Sequence, residues 1–273
     1  PGGVEAALAA YRCFEPYGED PQEYAMATRF VPESCEDQVV ELLAQARQRV
    51  IGTRLDDDEL SAWQNAEVVA GAERYYRAMV RGSVESWNVR DQHMVETLDR
   101  LLAYYGPGAK AVVWAHNTHV GDARATDMAE VGEVNIGQLA RERYGPDDVR
   151  LIGFSCHRGT VVAADAWGAP MQVMPVPPAR PGSLEDILHG AAPEQAVLLF
   201  PDFASADLLT DWLVHRAIGV VYHPELERRG NYVPTKLGDR YDAFVWVDQT
   251  RGVRPLRTRD ITATEPETYP TAV

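Results

Sequence analysis

The sequence predicts an α/β protein, a mixed sheet flanked by helices (α/β/α), with a helical layer contributed by the first ~105 residues. Three observations support this. Apolar residues recur at helical spacing through the first part of the chain. After Pro107, short β-prone runs alternate with helical stretches of roughly ten residues. The 273 residues are 45% hydrophobic and 25% charged, the composition of a globular chain able to bury a sizeable core.

The elements follow in order. Ser34-Cys35-Glu36-Asp37 places a capping serine three residues before an acidic side chain, just ahead of QVVELLAQARQRV, which predicts a helix start. A longer helix is expected from about Asp57 to Val80, with Leu60, Trp63, Ala66, Val69 and Ala70 close to helical spacing. A third runs from about Val89 to Tyr104, with Met94, Leu98 and Leu101 on one stripe. Beyond Pro107 come AVVWA as a buried strand, NIGQLARERY as a helix, and VRLIGFS and TVVAA as two strands. MQVMPV follows as a strand, SLEDILHG as a helix, QAVLLF as a strand and ADLLTDWL as a helix. GVVYH and YDAFVWVD complete the sheet. Pro175, Pro177, Pro178 and Pro181 mark a loop, and the polar, Thr-rich tail after Arg257 is read as loosely ordered. The expected organisation is one incomplete domain over 1–273: a helical segment 1–107, an alternating segment 108–257 and a tail 258–273.

Composition excludes several classes. A net charge of −15 argues against nucleic acid or an anionic membrane surface as partner. No apolar run approaches the roughly 20 residues of a membrane-spanning helix. No charged-then-apolar leader is visible. Cys13, Cys35 and Cys156 are odd in number and lack CxxC spacing, so neither a disulfide framework nor a zinc knuckle is expected, and a cytoplasmic location is the default.

The chemistry concentrates in AVVWAHNTHVGD, residues 111–122. A short apolar run ends in His116 and His119 with Asn117 between them, followed by a Gly121-Asp122 turn. Strand ends in α/β proteins gather catalytic groups, and imidazoles titrate near neutral pH. The pair can be read as part of an acid/base site, as structural histidines bonding backbone in the turn, or as an incomplete metal site lacking a third ligand. Spacing alone leaves the first two open. Trp87 to Met94 opens the third helix, where Asp91 in the first turn fits the helix dipole. Arg90 beside it can pair with Asp91 or reach a substrate carbonyl or carboxylate, and His93 is read as a surface residue.

Gly153-Phe154-Ser155-Cys156-His157 superficially resembles a nucleophile elbow, but His157 stands where the fifth-position glycine is needed. Arg158-Gly159-Thr160 after it reads as a hairpin, and Cys156 and His157, adjacent on a strand, point to opposite faces. A serine or cysteine hydrolase is therefore rejected. Asp56-Asp57-Asp58-Glu59 lacks the pattern of a calcium loop and is a solvated helix start. Neither GxxxxGK nor GxGxxG is present. His189, His215 and His223 are isolated, and are read as structural or surface residues.

Taken together, YRCFEPYGEDPQEYA, PESCEDQVVELL, NAEVVAGAERYYRAM, SWNVRDQHMVETL, AVVWAHNTHVGDA, GFSCHRGTVVAA and DRYDAFVWVDQTRGVRPL resemble the erythromycin esterase family, in order and over nearly the whole chain. The resemblance implies a mixed α/β/α fold and metal-independent, cofactor-free hydrolysis of a small-molecule ester or lactone by histidine-assisted water attack. By motif, His116 and His119 match the two histidines of the family's late HNxH segment, with Asn117 beside them at the substrate. Arg90 and Asp91 match its Arg-Asp helix start and line or brace the cleft. The family's early Gly-Glu-x-Ser/Thr-His-Gly motif, which supplies the general base, has no counterpart here. The chain is therefore expected to be the C-terminal part of a member, its partner being the missing N-terminal part or a second chain. An unpaired strand edge and an exposed core face would follow. The alternative is a catalytically inactive or transferase-like relative that binds a small molecule in the same cleft.

Overall fold

A computed structural model of the chain describes residues 2–17, 21–30, 34–50, 55–80, 83–166, 168–203 and 207–254. The Thr-rich tail lies outside the described residues. The chain divides into two compact units, Pro1–Ala111 and Val112–Val273.

The first unit is helical: α1 (Gly2–Phe14), a 3-10 turn at Glu15–Tyr17, α2 (Pro21–Phe30), α3 (Glu36–Val50), α4 (Asp57–Met79) and α5 (Ser83–Tyr105). The acidic run is the start of α4. Asp56 Oδ1 accepts from the Glu59 amide at 2.8 Å and Glu59 Oε2 accepts from the Asp56 amide at 3.1 Å, a reciprocal capping box. Ala10, Tyr24, Cys35 and Val39 form one core cluster. Tyr24 donates its hydroxyl to Glu73 at 2.8 Å, and Glu73 is paired with Arg77 at 2.9 Å.

Two expectations are corrected in this unit. Cys13 and Cys35 form a disulfide, leaving Cys156 as the free thiol. The packing of α1 against α3 brings the two cysteines together across 22 residues of sequence, a proximity that no local motif announces. The second correction concerns α5, which begins at Ser83, ahead of Val89. Buried Ser86 and Trp87 carry its inner face back by more than a turn. Asp91 is thus fully buried within the helix, not in its first turn, and His93 is half-buried, facing Gly71 of α4.

The second unit holds α6 (Asn117–Val120), α7 (Met128–Val131), α8 (Ile136–Tyr144), β1 (Ile152–Ala163), β2 (Gln172–Val176), α9 (Leu184–Ala191) and β3 (Gln195–Leu199). α10 (Asp207–Thr210), β4 (Trp212–Arg216), α11 (Glu227–Gly230), β5 (Tyr232–Lys236), α12 (Leu237–Arg240) and β6 (Ala243–Thr250) follow. The main sheet runs β2-β1-β6-β3 and is mixed, because β1 and β6 are parallel while the outer pairs are antiparallel. β4 and β5 form a separate antiparallel pair. Phe244 and Trp246 of β6 point into a core with Leu184, Leu188, Leu237 and Tyr241. On the opposite face, register aligns Phe154 with Val245 and Val197, and Ile152 with Ala243 and Leu199. Ile152, Phe154, Val197 and Leu199 on that face are exposed.

Four local expectations fail here. VRLIGFS and TVVAA are one strand, not a hairpin: at Gly159 (φ 140°) β1 passes from β6 to β2, and a Cβ there would meet Thr250 O at 2.2 Å. ADLLTDWL splits into α10 and the start of β4. GVVYH contributes only an isolated bridge, Ala164 to Val221. AVVWA belongs to no strand and is not buried, with Val112 92% and Trp114 83% exposed. Along β1, side chains of Asn117 and Arg216 bond backbone groups at Phe154, Cys156 and His157.

Candidate functional site

The turn His116–Asn117–Thr118–His119 is held from all sides by polar contacts. His116 is the N-cap of α6: its Nδ1 accepts from the Thr118 amide at 3.2 Å, and its Nε2 lies 2.9 Å from Ile218 O. That pattern assigns the proton to Nε2, which donates to the carbonyl. The ring is kept neutral. Desolvation of the ring, then His119, Arg240 and His215, push its pKa down to about 4, although the residue as a whole is exposed.

Asn117 sits against β1. Its Nδ2 donates to Phe154 O at 2.6 Å and lies 3.4 Å from His215 Nε2, while its Oδ1 accepts from the Phe154 amide at 3.2 Å. Its carbonyl accepts from Arg240 Nη2 at 3.3 Å. Asn135, the N-cap of α8, closes the turn from the far side, donating from Nδ2 to Thr118 O at 2.6 Å and Gly121 O at 2.5 Å. Asp122 follows, buried and paired with Arg124 at 2.7 Å and Arg141 at 3.2 Å. Burial alone would raise the Asp122 pKa, but the two guanidinium groups and the Arg124 amide outweigh it and hold the carboxylate below its ordinary range.

Behind Asn117 lies a buried network. Glu185 in the first turn of α9 is fully buried, and its Oε1 accepts from Ser155 Oγ at 2.8 Å, His215 Nδ1 at 2.7 Å and the Arg216 amide at 3.0 Å. Serine, histidine and carboxylate are all present, but serine and histidine both converge on the carboxylate. Ser155 is therefore not activated by His215, in keeping with the rejected serine-hydrolase reading. Arg216 extends the network, donating to Cys156 O at 2.6 Å, His157 O at 2.9 Å and Glu227 at 2.6 Å.

His116, Asn117 and His119 thus share one short helix, whereas Arg90 and Asp91 belong to the helical unit. There Asp91 is fully buried, with Arg90 Nε 4.0 Å from its carboxylate and the Arg90 guanidinium 4.8 Å over Trp87. A cavity of about 700 Å³ in the helical unit, lined by Asp57, Trp63, Asp99, Arg100 and Tyr104 among others, contains none of the candidate residues. Among the described residues, no three His, Cys, Asp or Glu are grouped to hold a metal ion. Nor is any helix among them long and apolar enough to cross a membrane.

A sequence profile of the erythromycin esterase family matches residues 1–250. The chain belongs to the erythromycin esterase family. Solved structures share its fold. A succinoglycan biosynthesis protein aligns at 16% identity over 91% of this chain and 57% of its own, with a TM-score of 0.67. A Bacillus cereus protein aligns at 15% identity over 89% of this chain and 58% of its own, also with a TM-score of 0.67. The erythromycin esterase EreC, as a histidine-to-asparagine mutant in its open conformation, aligns at 18% identity over 79% of this chain and 52% of its own, with a TM-score of 0.54. The chain therefore spans less than three fifths of the length of these structures.

Glu185, His215, Asn135 and Arg240 stand out only in three dimensions. Their partners lie far away in sequence. The one local clue is the helix-start pattern Ser183-x-Glu185-Asp186, whose Ser183 does cap α9.

Proposed function

We propose that this chain carries the histidine-turn half of a hydrolytic site that cleaves an ester or lactone of a small molecule by water attack, without a metal. The observation that carries the reading is the turn itself, a His-Asn-Thr-His helix fastened by Asn117, Asn135, Arg240 and the ring of His116. Such bracing fixes imidazole groups against a rigid base, and fixed geometry is what catalysis of acyl transfer requires. Both nitrogens of His116 are engaged, Nδ1 by Thr118 and Nε2 by Ile218 O, so His116 orients the segment. By its place in the family's HNxH segment, His119 is assigned to the reacting carbonyl. There a ring N–H stabilises charge developing on the carbonyl oxygen and can pass a proton to the departing alkoxide. Asn117 is assigned to anchoring, since Phe154 and His215 engage its amide.

The general base that deprotonates water is assigned to a further segment, of this protein or of a second chain. The exposed row Ile152, Phe154, Val197 and Leu199 supports this, because a contiguous exposed apolar row on a sheet face marks a surface that another segment covers. The unpaired run at Val112–Trp114 supports it as well. The proposal of a cytoplasmic location loses its cysteine argument, because a Cys13–Cys35 bond is favoured in an oxidising compartment.

The test is turnover of a panel of aryl esters and lactones by the longest natural form of the protein, alongside His119→Ala and by this chain alone. Loss of about 100-fold or more in kcat for His119→Ala is expected. Unchanged turnover would remove His119 from the mechanism. Full activity of the isolated chain would remove the need for a further segment. Binding without turnover in every form would favour the non-hydrolytic alternative.

A further inference from the structure

The Glu185–His215 pair is costly to bury, and its geometry explains what it does. Glu185 and His215 are 0% and 1% exposed, so no solvent substitutes for either partner. Nδ1 of His215 lies 2.7 Å from a carboxylate oxygen, which can only accept, so this nitrogen carries the ring proton. Nε2 is then a bare lone pair, and it faces the Asn117 amide nitrogen at 3.4 Å. Tyr241 and Phe244 pack edge-on against the imidazole at ring-centroid distances of 6.2 Å and 5.5 Å.

We infer that Glu185 and His215 are positioning residues for the histidine turn: Glu185 fixes the Nδ1–H tautomer of His215, whose Nε2 then selects the orientation of the Asn117 amide. The alternative protonation states show why the tautomer matters. A proton on Nε2 would set N–H against N–H, pushing Asn117 Nδ2 off Phe154 O, the contact that docks α6 on β1. The charged groups near the ring act consistently. Burial disfavours the imidazolium and outweighs the pull of Glu185, and Arg240 and Arg216 disfavour it further, so the ring stays neutral. Burial pushes Glu185 up, but His215, the Arg216 amide and Ser155 hold it below its ordinary range, so the carboxylate stays charged. The two directions describe one state, a carboxylate accepting from a neutral imidazole.

The consequence for catalysis rests on the hydrolytic reading, but the device does not, and its test uses no substrate. The chain, with 15N-labelled histidines assigned by single substitutions, is followed by imidazole NMR from pH 8 to pH 5. His215 is expected as a single neutral tautomer protonated at Nδ1 throughout, with His116 as the opposite tautomer. Glu185→Gln is expected to mix the His215 tautomers and to shift the His116 and His119 signals, leaving surface His223 in place. Ser155→Ala, which keeps the Glu185–His215 contact, is expected to leave the His215 tautomer intact. A wild-type His215 that is protonated at Nε2, or that titrates as a free imidazole, overturns the inference, and this measurement decides it even if Glu185→Gln does not fold. Unmoved His116 and His119 signals in a folded Glu185→Gln overturn it equally.

Discussion

The side chain of Asn117 meets the backbone of Phe154 as a neighbouring strand would, giving one hydrogen bond at 2.6 Å and taking another at 3.2 Å. The residue thereby pairs with the edge of β1 at Phe154 and docks the histidine turn there. Aspartate at this position keeps the acceptor but sets an anionic oxygen against Phe154 O and the lone pair of His215. Asn117→Asp is expected to cost about 2–3 kcal/mol, and Asn117→Ala less, because water can reach the half-exposed Phe154. Urea unfolding of the two variants gives the order, and an Asn117→Asp protein as stable as wild type contradicts the docking role.

Two glycines let the turn pack closely, with different tolerances. A Cβ on Gly137 would lie 2.3 Å from Val120 O, a backbone atom at the end of α6. A Cβ on Gly121 would lie 2.6 Å from Arg240 Nε, on a side chain that is itself buried. Backbone yields less than a side chain, so Gly137→Ala should lose more, about 3 kcal/mol or above, and Gly121→Ala about 1–3 kcal/mol. The reverse order of Tm values would show that Arg240 is more rigidly set than the α6 backbone.

How much of this was legible beforehand varies by element. Helices α3, α4, α8 and α9 are legible in runs of helical spacing, a local property. The serine expected to cap α3, Ser34, lies one residue ahead of the cap position Cys35, with its Oγ 3.4 Å from the Glu36 amide. β6 and β2 did so through β-prone runs. The run 111–115 carried the same signal and is not a strand, because a strand needs a partner and a sequence pattern does not say whether one is present. His116 and His119 were visible as a pair. That His116 caps a helix with both nitrogens engaged was not, since it depends on Ile218, far along the chain. His215 looked isolated because its partners Glu185 and Asn117 lie 30 and 98 residues away.

The Cys13–Cys35 bond closes a loop of 22 residues, which in the chain-entropy account stabilises the helical unit by about 3 kcal/mol. Denatured protein prepared without reductant should show one titratable thiol, Cys156, and three after reduction. Cys13→Ser with Cys35→Ser should unfold at lower denaturant in the phase that reports the helical unit. Three free thiols in protein folded under oxidising conditions would contradict the pairing.

Acid should weaken the second unit through two histidines that the fold keeps neutral. Burial holds His215 below the ordinary imidazole value of 6.5, and His116 is held at about 4. The unfolded chain therefore binds protons that the folded chain refuses once the pH falls below 6.5, so the stability these two residues confer is complete above that value. It is lost as the pH falls toward the folded-state values, for His116 over the window from 6.5 to about 4. His215, fully buried, contributes a slope of about 1.4 kcal/mol per pH unit, and the partly solvated His116 a smaller one. Urea midpoints measured from pH 8 to pH 5 should be level above neutrality and decline below pH 6.5, with a shallower decline in a folded His215→Asn protein. Midpoints that stay level down to pH 5 would mean that His215 accepts its second proton inside the fold, in which case the histidine turn is not anchored by a neutral ring.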